Sequence, residues 1–168
     1  LVRAELGRRL FFYSLLSGDG SRSCASCHKP EHAYGSPEII AAGVGDRKGN
    51  RHPPVLVNRR FGEAQFWDGR QGTLEEQALE PIENENELAN SVGTVLDRLG
   101  ENSEYKASFE KAFDDGITRS NLAASIAAFE RTLLSADSVI DRFVTASDTS
   151  QLTKEQRQGL WIYESKGG

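Results

Sequence analysis

The chain has 168 residues, enough for one domain with a real core, or one domain and the start of another. Its apolar share of 38% and charged share of 27% are ordinary for a globular protein, and no apolar run approaches the roughly 20 residues that span a bilayer. A net charge of −5 argues against a nucleic-acid binder and for a small partner with a basic face.

The pattern along the chain is helical almost throughout, and the expected class is all-α. Val2 to Tyr13 predicts an opening helix with Leu6, Leu10 and Tyr13 on one face. Its mix of charged and apolar residues is not a signal peptide, so an exported protein would already have lost its signal. Ser17-Gly18-Asp19-Gly20-Ser21 is a turn cluster. From Lys29 to Pro54 there is no sustained period, and a loop of that length in a compact domain is usually functional. Thr73-Leu74-Glu75-Glu76 is a capping box that opens a short helix ending near Pro81. Ser91 to Leu99 and Ser103 to Phe113 predict two more helices. Thr118 to Leu134 gives the clearest, with Leu122, Ile126, Phe129 and Leu133 facing the core. Thr145 to Gln151 reads as a polar linker, and Thr153 with Gln156 caps a final helix. No internal repeat and no hairpin signal is present.

The only two cysteines stand three residues apart, too close to staple a disulfide framework. They belong to Cys24-Ala25-Ser26-Cys27-His28, the C-x-x-C-H attachment signature for c-type haem. Two thiols one helical turn apart reach both vinyl groups of the porphyrin, and the adjacent histidine points at the iron. Two alternatives stay open. A redox dithiol would sit beside a βαβ unit, and none is visible. A zinc site would need His32 or His52 to complete it, and no standard ligand spacing fits well. Haem is the favoured reading.

An electron-transfer cytochrome usually has a strong sixth ligand, often Met. This chain has no methionine, and beyond His28 only His32 and His52 remain, both of which read as polar loop residues. An iron with a weak or missing sixth ligand is free to bind peroxide, so the ligand inventory tilts toward peroxide chemistry.

Several stretches, in order and at matching separations over nearly the whole chain, resemble the bacterial di-haem cytochrome c peroxidases and the related MauG-type enzymes. They are Leu6-Gly7-Arg8-Arg9-Leu10-Phe11-Phe12, the approach from Leu16 to Cys24, Arg51-His52-Pro53-Pro54-Val55-Leu56-Val57-Asn58, and Phe66-Trp67-Asp68-Gly69-Arg70. Leu74-Glu75-Glu76-Gln77-Ala78 and Pro81 to Leu88 follow. Gln158 to Gly168 resembles the lead-in to the family's second C-x-x-C-H. The resemblance implies a cytochrome c-like peroxidatic haem domain over residues 1–150 and the start of a second haem domain over 151–168. It implies haem c held by Cys24, Cys27 and His28, with His28 the proximal iron ligand and a second haem in the full-length protein. Trp67 matches the family's inter-haem electron relay, Gln77 a polar residue of the distal pocket, and Glu87 the distal acid–base residue. Without the family these three read as a core aromatic, a solvated helix residue and one carboxylate of an acidic loop.

Three departures accompany the match. The family's distal histidine position falls on Val44, which cannot ligate iron; this predicts a five-coordinate or water-bound haem. A purely low-spin bis-histidine ferric spectrum contradicts that expectation. His52 replaces the asparagine that often helps hold an inter-domain calcium, which argues against calcium. Tyr13-Ser14-Leu15 replaces a more polar stretch, with no consequence assigned. The function so implied is two-electron reduction of hydrogen peroxide to water, with electrons from a small cytochrome c or copper protein, in the periplasm. It requires no nucleic acid and no membrane span, and is compatible with a homodimer. The rivals are a MauG-type enzyme that oxidises a protein substrate and a pure electron-transfer haem module.

Overall fold

The structure is a computed structural model that describes residues 1–145 and 149–167. Two compact units divide it, Leu1–Leu134 and Ser135–Gly168. The first holds α1 (Val2–Phe11), α2 (Cys24–Cys27), α3 (Leu74–Glu83), α4 (Val92–Glu101), α5 (Ser103–Ala112) and α6 (Arg119–Glu130). The second holds α7 (Val139–Thr145) and α8 (Lys154–Lys166). Among the described residues there are isolated antiparallel bridges but no strands, so the all-α expectation stands.

The helices begin where their capping residues sit. Thr73 Oγ1 accepts from the Glu76 amide at 3.2 Å, and Glu76 Oε2 accepts from the Thr73 amide at 3.1 Å. Ser91, Asn102 and Thr118 accept from the first amides of α4, α5 and α6, and Thr153 and Gln156 close a reciprocal box at α8.

The helix ends depart from expectation. α3 runs past Pro81 to Glu83. Pro81 has no N–H to give the Gln77 carbonyl, and the chain beyond α3 folds back onto the helix's C-terminal end. There the Leu88 amide donates to Pro81 O at 3.1 Å and the Asn90 amide to Ile82 O at 2.9 Å. α6 stops at Glu130, and Thr132 and Leu133 close three-residue turns onto Phe129 and Glu130. α7 was not expected. Its signal is a capping box, with the Asp141 amide on Ser138 Oγ at 3.1 Å and the Ser138 amide on Asp141 Oδ2 at 2.8 Å, hidden in a polar stretch. Of the expected linker Thr145 to Gln151, residues 146–148 lie outside the described residues, and Thr149–Gln151 forms a 3-10 turn.

α1 crosses α6 at closest approach where Gly7 meets the Ser125 backbone. Leu6, Leu10, Ile82, Val95, Leu99, Phe109, Leu122 and Ile126 form the main core. A smaller cluster of Phe11, Leu56, Phe129 and Leu133 packs against Cys24, Ala25 and Tyr34. This second cluster matters for function, because it ties the cysteine helix to the α1–α6 crossing.

Candidate active site

Ser23 and Ser26 cap α2 reciprocally and set its single turn, which places Cys24 and Cys27 on successive passes of the helix. Both are free thiols. Burial pushes Cys24 up to about 12 and raises Cys27 above its ordinary value, so both are protonated here. His28 follows the helix, its amide on Cys24 O at 2.9 Å. Its Nδ1 meets Tyr34 O at 3.0 Å, which selects one tautomer and leaves Nε2 for a metal. Tyr34 is held in turn by the Lys29–Gly35 bridge. Burial lowers the imidazole's pKa, and the Tyr34 and Pro54 carbonyls oppose that shift, so the ring is neutral as a ligand requires.

Cys27 and His28 line a cavity of about 690 Å³, within the range of small-molecule sites. Gln77, Pro81, Asn84 and Glu87 line it too, brought there by α3 and the loop behind it. Glu87 is half-buried. Burial raises its pKa, while the Asn84 Nδ2–H bond to Oε1 at 2.7 Å and the Arg70 cation pull it down. Its backbone is pinned: Glu87 O accepts from the Val44 amide at 2.8 Å, and Glu87 N donates to Asn84 O at 3.0 Å. A Cβ at Gly43 would lie 2.2 Å from Asn86 O and 2.5 Å from Glu87 O, so only glycine permits this approach. Val44 is buried, and the cavity is lined by its neighbour Gly43.

Trp67 lines the same cavity, yet it is 65% exposed, with Nε1–H donating to His52 O at 2.8 Å. It is no core aromatic. Its predecessor Phe66 has φ of +66°, rare for a bulky residue, and Arg70 stacks on the Phe66 ring at 3.4 Å. Arg70 also pairs with Asp68 and Glu80, and Arg51 with Asp68, which braces the loop around Trp67. His52 lines the cavity with Nδ1 against the carbonyls of Glu38 and Ile39, and His32 is exposed. Among the described residues no three His, Cys, Asp or Glu side chains come together as a metal alone would need.

Thus Cys27, His28, Trp67, Gln77 and Glu87 share one cavity, with Cys24 one turn before Cys27. Two lining residues were missed from sequence. Asn84 orients Glu87, and its Asx turn onto the Asn86 amide at 2.9 Å was the available signal. Glu130, 4% exposed, has an Oε2 with no hydrogen-bond partner. It falls four residues after Ile126, on the core face of α6, where a charged residue is itself a signal.

A sequence profile for the di-haem cytochrome c peroxidases matches residues 2–149. The chain belongs to that family. It is 32% identical over 167 residues to the methylamine utilization protein MauG of Methylophilus methylotrophus, covering 99% of this chain and 50% of that one. It is 36% identical to the cytochrome c551 peroxidase of Pseudomonas aeruginosa, covering 97% and 48%. A crystal structure of a MauG-like protein associated with microbial copper homeostasis superposes with a TM-score of 0.84 at 29% identity, covering 96% and 48%. The chain therefore spans about half the length of these relatives. Haem is the group the family carries, and the donor set here fits it: two thiols one turn apart and a neutral imidazole with its second nitrogen anchored, beside a cavity.

Proposed function

We propose that this chain is the peroxidatic haem domain of a larger periplasmic enzyme that reduces hydrogen peroxide to water. The observation that carries the reading is a carboxyl, Glu87, with burial-raised pKa in the same cavity as an anchored neutral imidazole, His28. Cys24 and Cys27 would hold one haem c as thioethers, and His28 Nε2 would ligate its iron. Bound there, the haem supplies the peroxide-binding iron and passes on the electrons. The balance is one peroxide, two electrons and two protons to two waters.

The chain's own residues manage the protons. Glu87 takes a proton from one peroxide oxygen and gives it to the other, which leaves as water. Asn84 holds Oε1 so that the carboxylate form is available, and the Gly43–Val44 backbone fixes the loop behind it. Gln77 offers an amide to orient peroxide in the cavity. Trp67, exposed and lining the cavity, would relay electrons from a second haem carried by the rest of the protein, reached in turn by a small cytochrome c or copper protein. We assign residues 1–150 to this haem domain and 151–168 to the start of the next. No described helix is long and apolar enough to cross a membrane.

A second reading is favoured by Val44 and by the MauG relative: the same site oxidising a protein side chain. Steady-state peroxide consumption with a reduced small cytochrome c as donor separates the two. Sustained turnover is expected. Negligible turnover by the haem-loaded full-length protein overturns the peroxidase reading in favour of the second. The ferric spectrum checks the Val44 expectation: a high-spin or water-ligated component is expected, and a purely bis-histidine spectrum contradicts it.

A further inference from the structure

Glu130 plays no part in the mechanism above, yet among the described residues its Oε2 is a buried side-chain oxygen with no hydrogen-bond partner. Its position in the last turn of α6, four residues after Ile126 and next to Phe129, belongs to a core-facing stripe where an apolar residue would pack at no electrostatic cost. Instead a carboxyl is almost fully buried, and its Oε2 is unpartnered at the wall of the cavity that His28 also lines. Such an orphaned group in a native fold calls for a reason.

The charged groups around it do not neutralise it. Arg131, its neighbour, is engaged by Glu75 through two bonds of 2.6 and 2.8 Å. Arg59 gives its guanidinium to Gln65 Oε1 at 2.8 Å and to the Ala64 carbonyl at 2.6 Å. Glu75 and the Cys24 thiol are the remaining titratable groups that feel Glu130, and neither would stabilise its anion. Burial pushes the carboxyl up to about 8, with Arg131 and Arg59 opposing and Glu75 reinforcing the shift.

Resting on the haem reading of the cavity, we infer that Glu130 is a proton-holding residue whose carboxylate takes up one proton when an electron arrives on the bound haem, and releases it when the electron leaves. The balance is one electron from the protein's small redox donor, one proton from solvent, and one carboxylate converted to carboxylic acid through a single new O–H bond. The physical cause is reciprocity. A negative charge added in a poorly screened cavity favours the protonated carboxyl, and a protonated carboxyl favours the added electron by the same free energy.

The test is a spectroelectrochemical titration of the haem-loaded chain and its E130Q variant from about pH 6 to about pH 10. Across the titration of Glu130, whose pKa burial raises, the wild-type midpoint potential is expected to fall with pH. Its limiting slope is ~59 mV for each tenfold drop in proton activity, the one-electron value. In E130Q that fall is lost, leaving only the shallower titration of the haem's own propionates. Equal slopes in the two proteins overturn the inference alone, since both carry haem. A wild-type chain that takes up no haem overturns the haem reading and the inference with it. If E130Q does not load haem, the reduced-minus-oxidised infrared spectrum of the wild type decides. A carboxylic-acid carbonyl band that grows on reduction and shifts in E130D is expected, and its absence overturns the inference.

Discussion

Replacing Glu87 with glutamine is expected to lower peroxide turnover by about 10²–10⁴-fold while haem content stays unchanged. Glutamine keeps the size of the side chain and can still face Asn84, but it cannot carry a proton from one oxygen to the other. On the proposed reading haem attachment would depend on Cys24, Cys27 and His28, which are remote from it in the chain, so the pyridine haemochrome should match the wild type. The pH profile gives a second readout. Glu87 must start as the carboxylate to accept a proton, so activity falls as pH drops through its pKa. Burial holds that pKa above the ordinary carboxylate value, so the acid limb lies at higher pH than an exposed glutamate would give. Removing the Asn84 bond, as in Asn84→Leu, takes away a group that favours the carboxylate and moves the limb higher still. Unchanged turnover in Glu87→Gln would remove the residue from the mechanism.

That prediction rests on a residue whose role composition alone does not suggest. Glu83, Glu85 and Glu87 alternate with Asn84 and Asn86 in one short acidic stretch, and only the family match separated Glu87 from the others. The structure separates them physically: Glu83 and Glu85 are exposed, while Glu87 is half-buried and lines the cavity. The difference arises from long-range contacts, the Val44 amide and the side-chain-free Gly43, which no local pattern encodes. Helix starts were legible because a cap is a local signal, as at Thr73, Ser91, Thr118 and Thr153. The end of α3 was not, because the carbonyls of its last turn, at Pro81 and Ile82, are capped by amides returning from Leu88 and Asn90. Cys24, Cys27 and His28 were legible as a unit, since their chemistry fixes their spacing. Glu130 was hidden by its own helix: its neighbours advertise a core stripe, and the exception reads as noise until its burial is known.

Gly7→Val is expected to be among the most destabilising single changes in the first unit, by about 3 kcal/mol or more, a large part of the ~5–15 kcal/mol that holds a domain together. A Cβ at this position would lie 1.8 Å from the Ser125 carbonyl oxygen and 2.5 Å from its carbon. Both atoms are backbone, and Ser125 is itself fixed, fully buried with Oγ on Asn121 O at 2.7 Å. The clash cannot be relieved by a rotamer, so α1 and α6 must separate. Separation carries Phe11 and Phe129, whose rings are 5.2 Å apart, away from each other. Phe11 also lies 6.5 Å from the His28 ring, and Phe129 immediately precedes Glu130. Haem attachment should therefore fall along with the denaturation midpoint. Gly100→Ala in α4 is the control, since nothing lies within 4 Å of its Cβ. There the helix-propensity gain of up to ~1 kcal/mol is unopposed. A Gly7→Val protein as stable as Gly100→Ala would show that the two helices do not meet through Gly7. The match of Leu6-Gly7-Arg8-Arg9-Leu10 to the family would then need another cause than the packing that supports the cysteine helix.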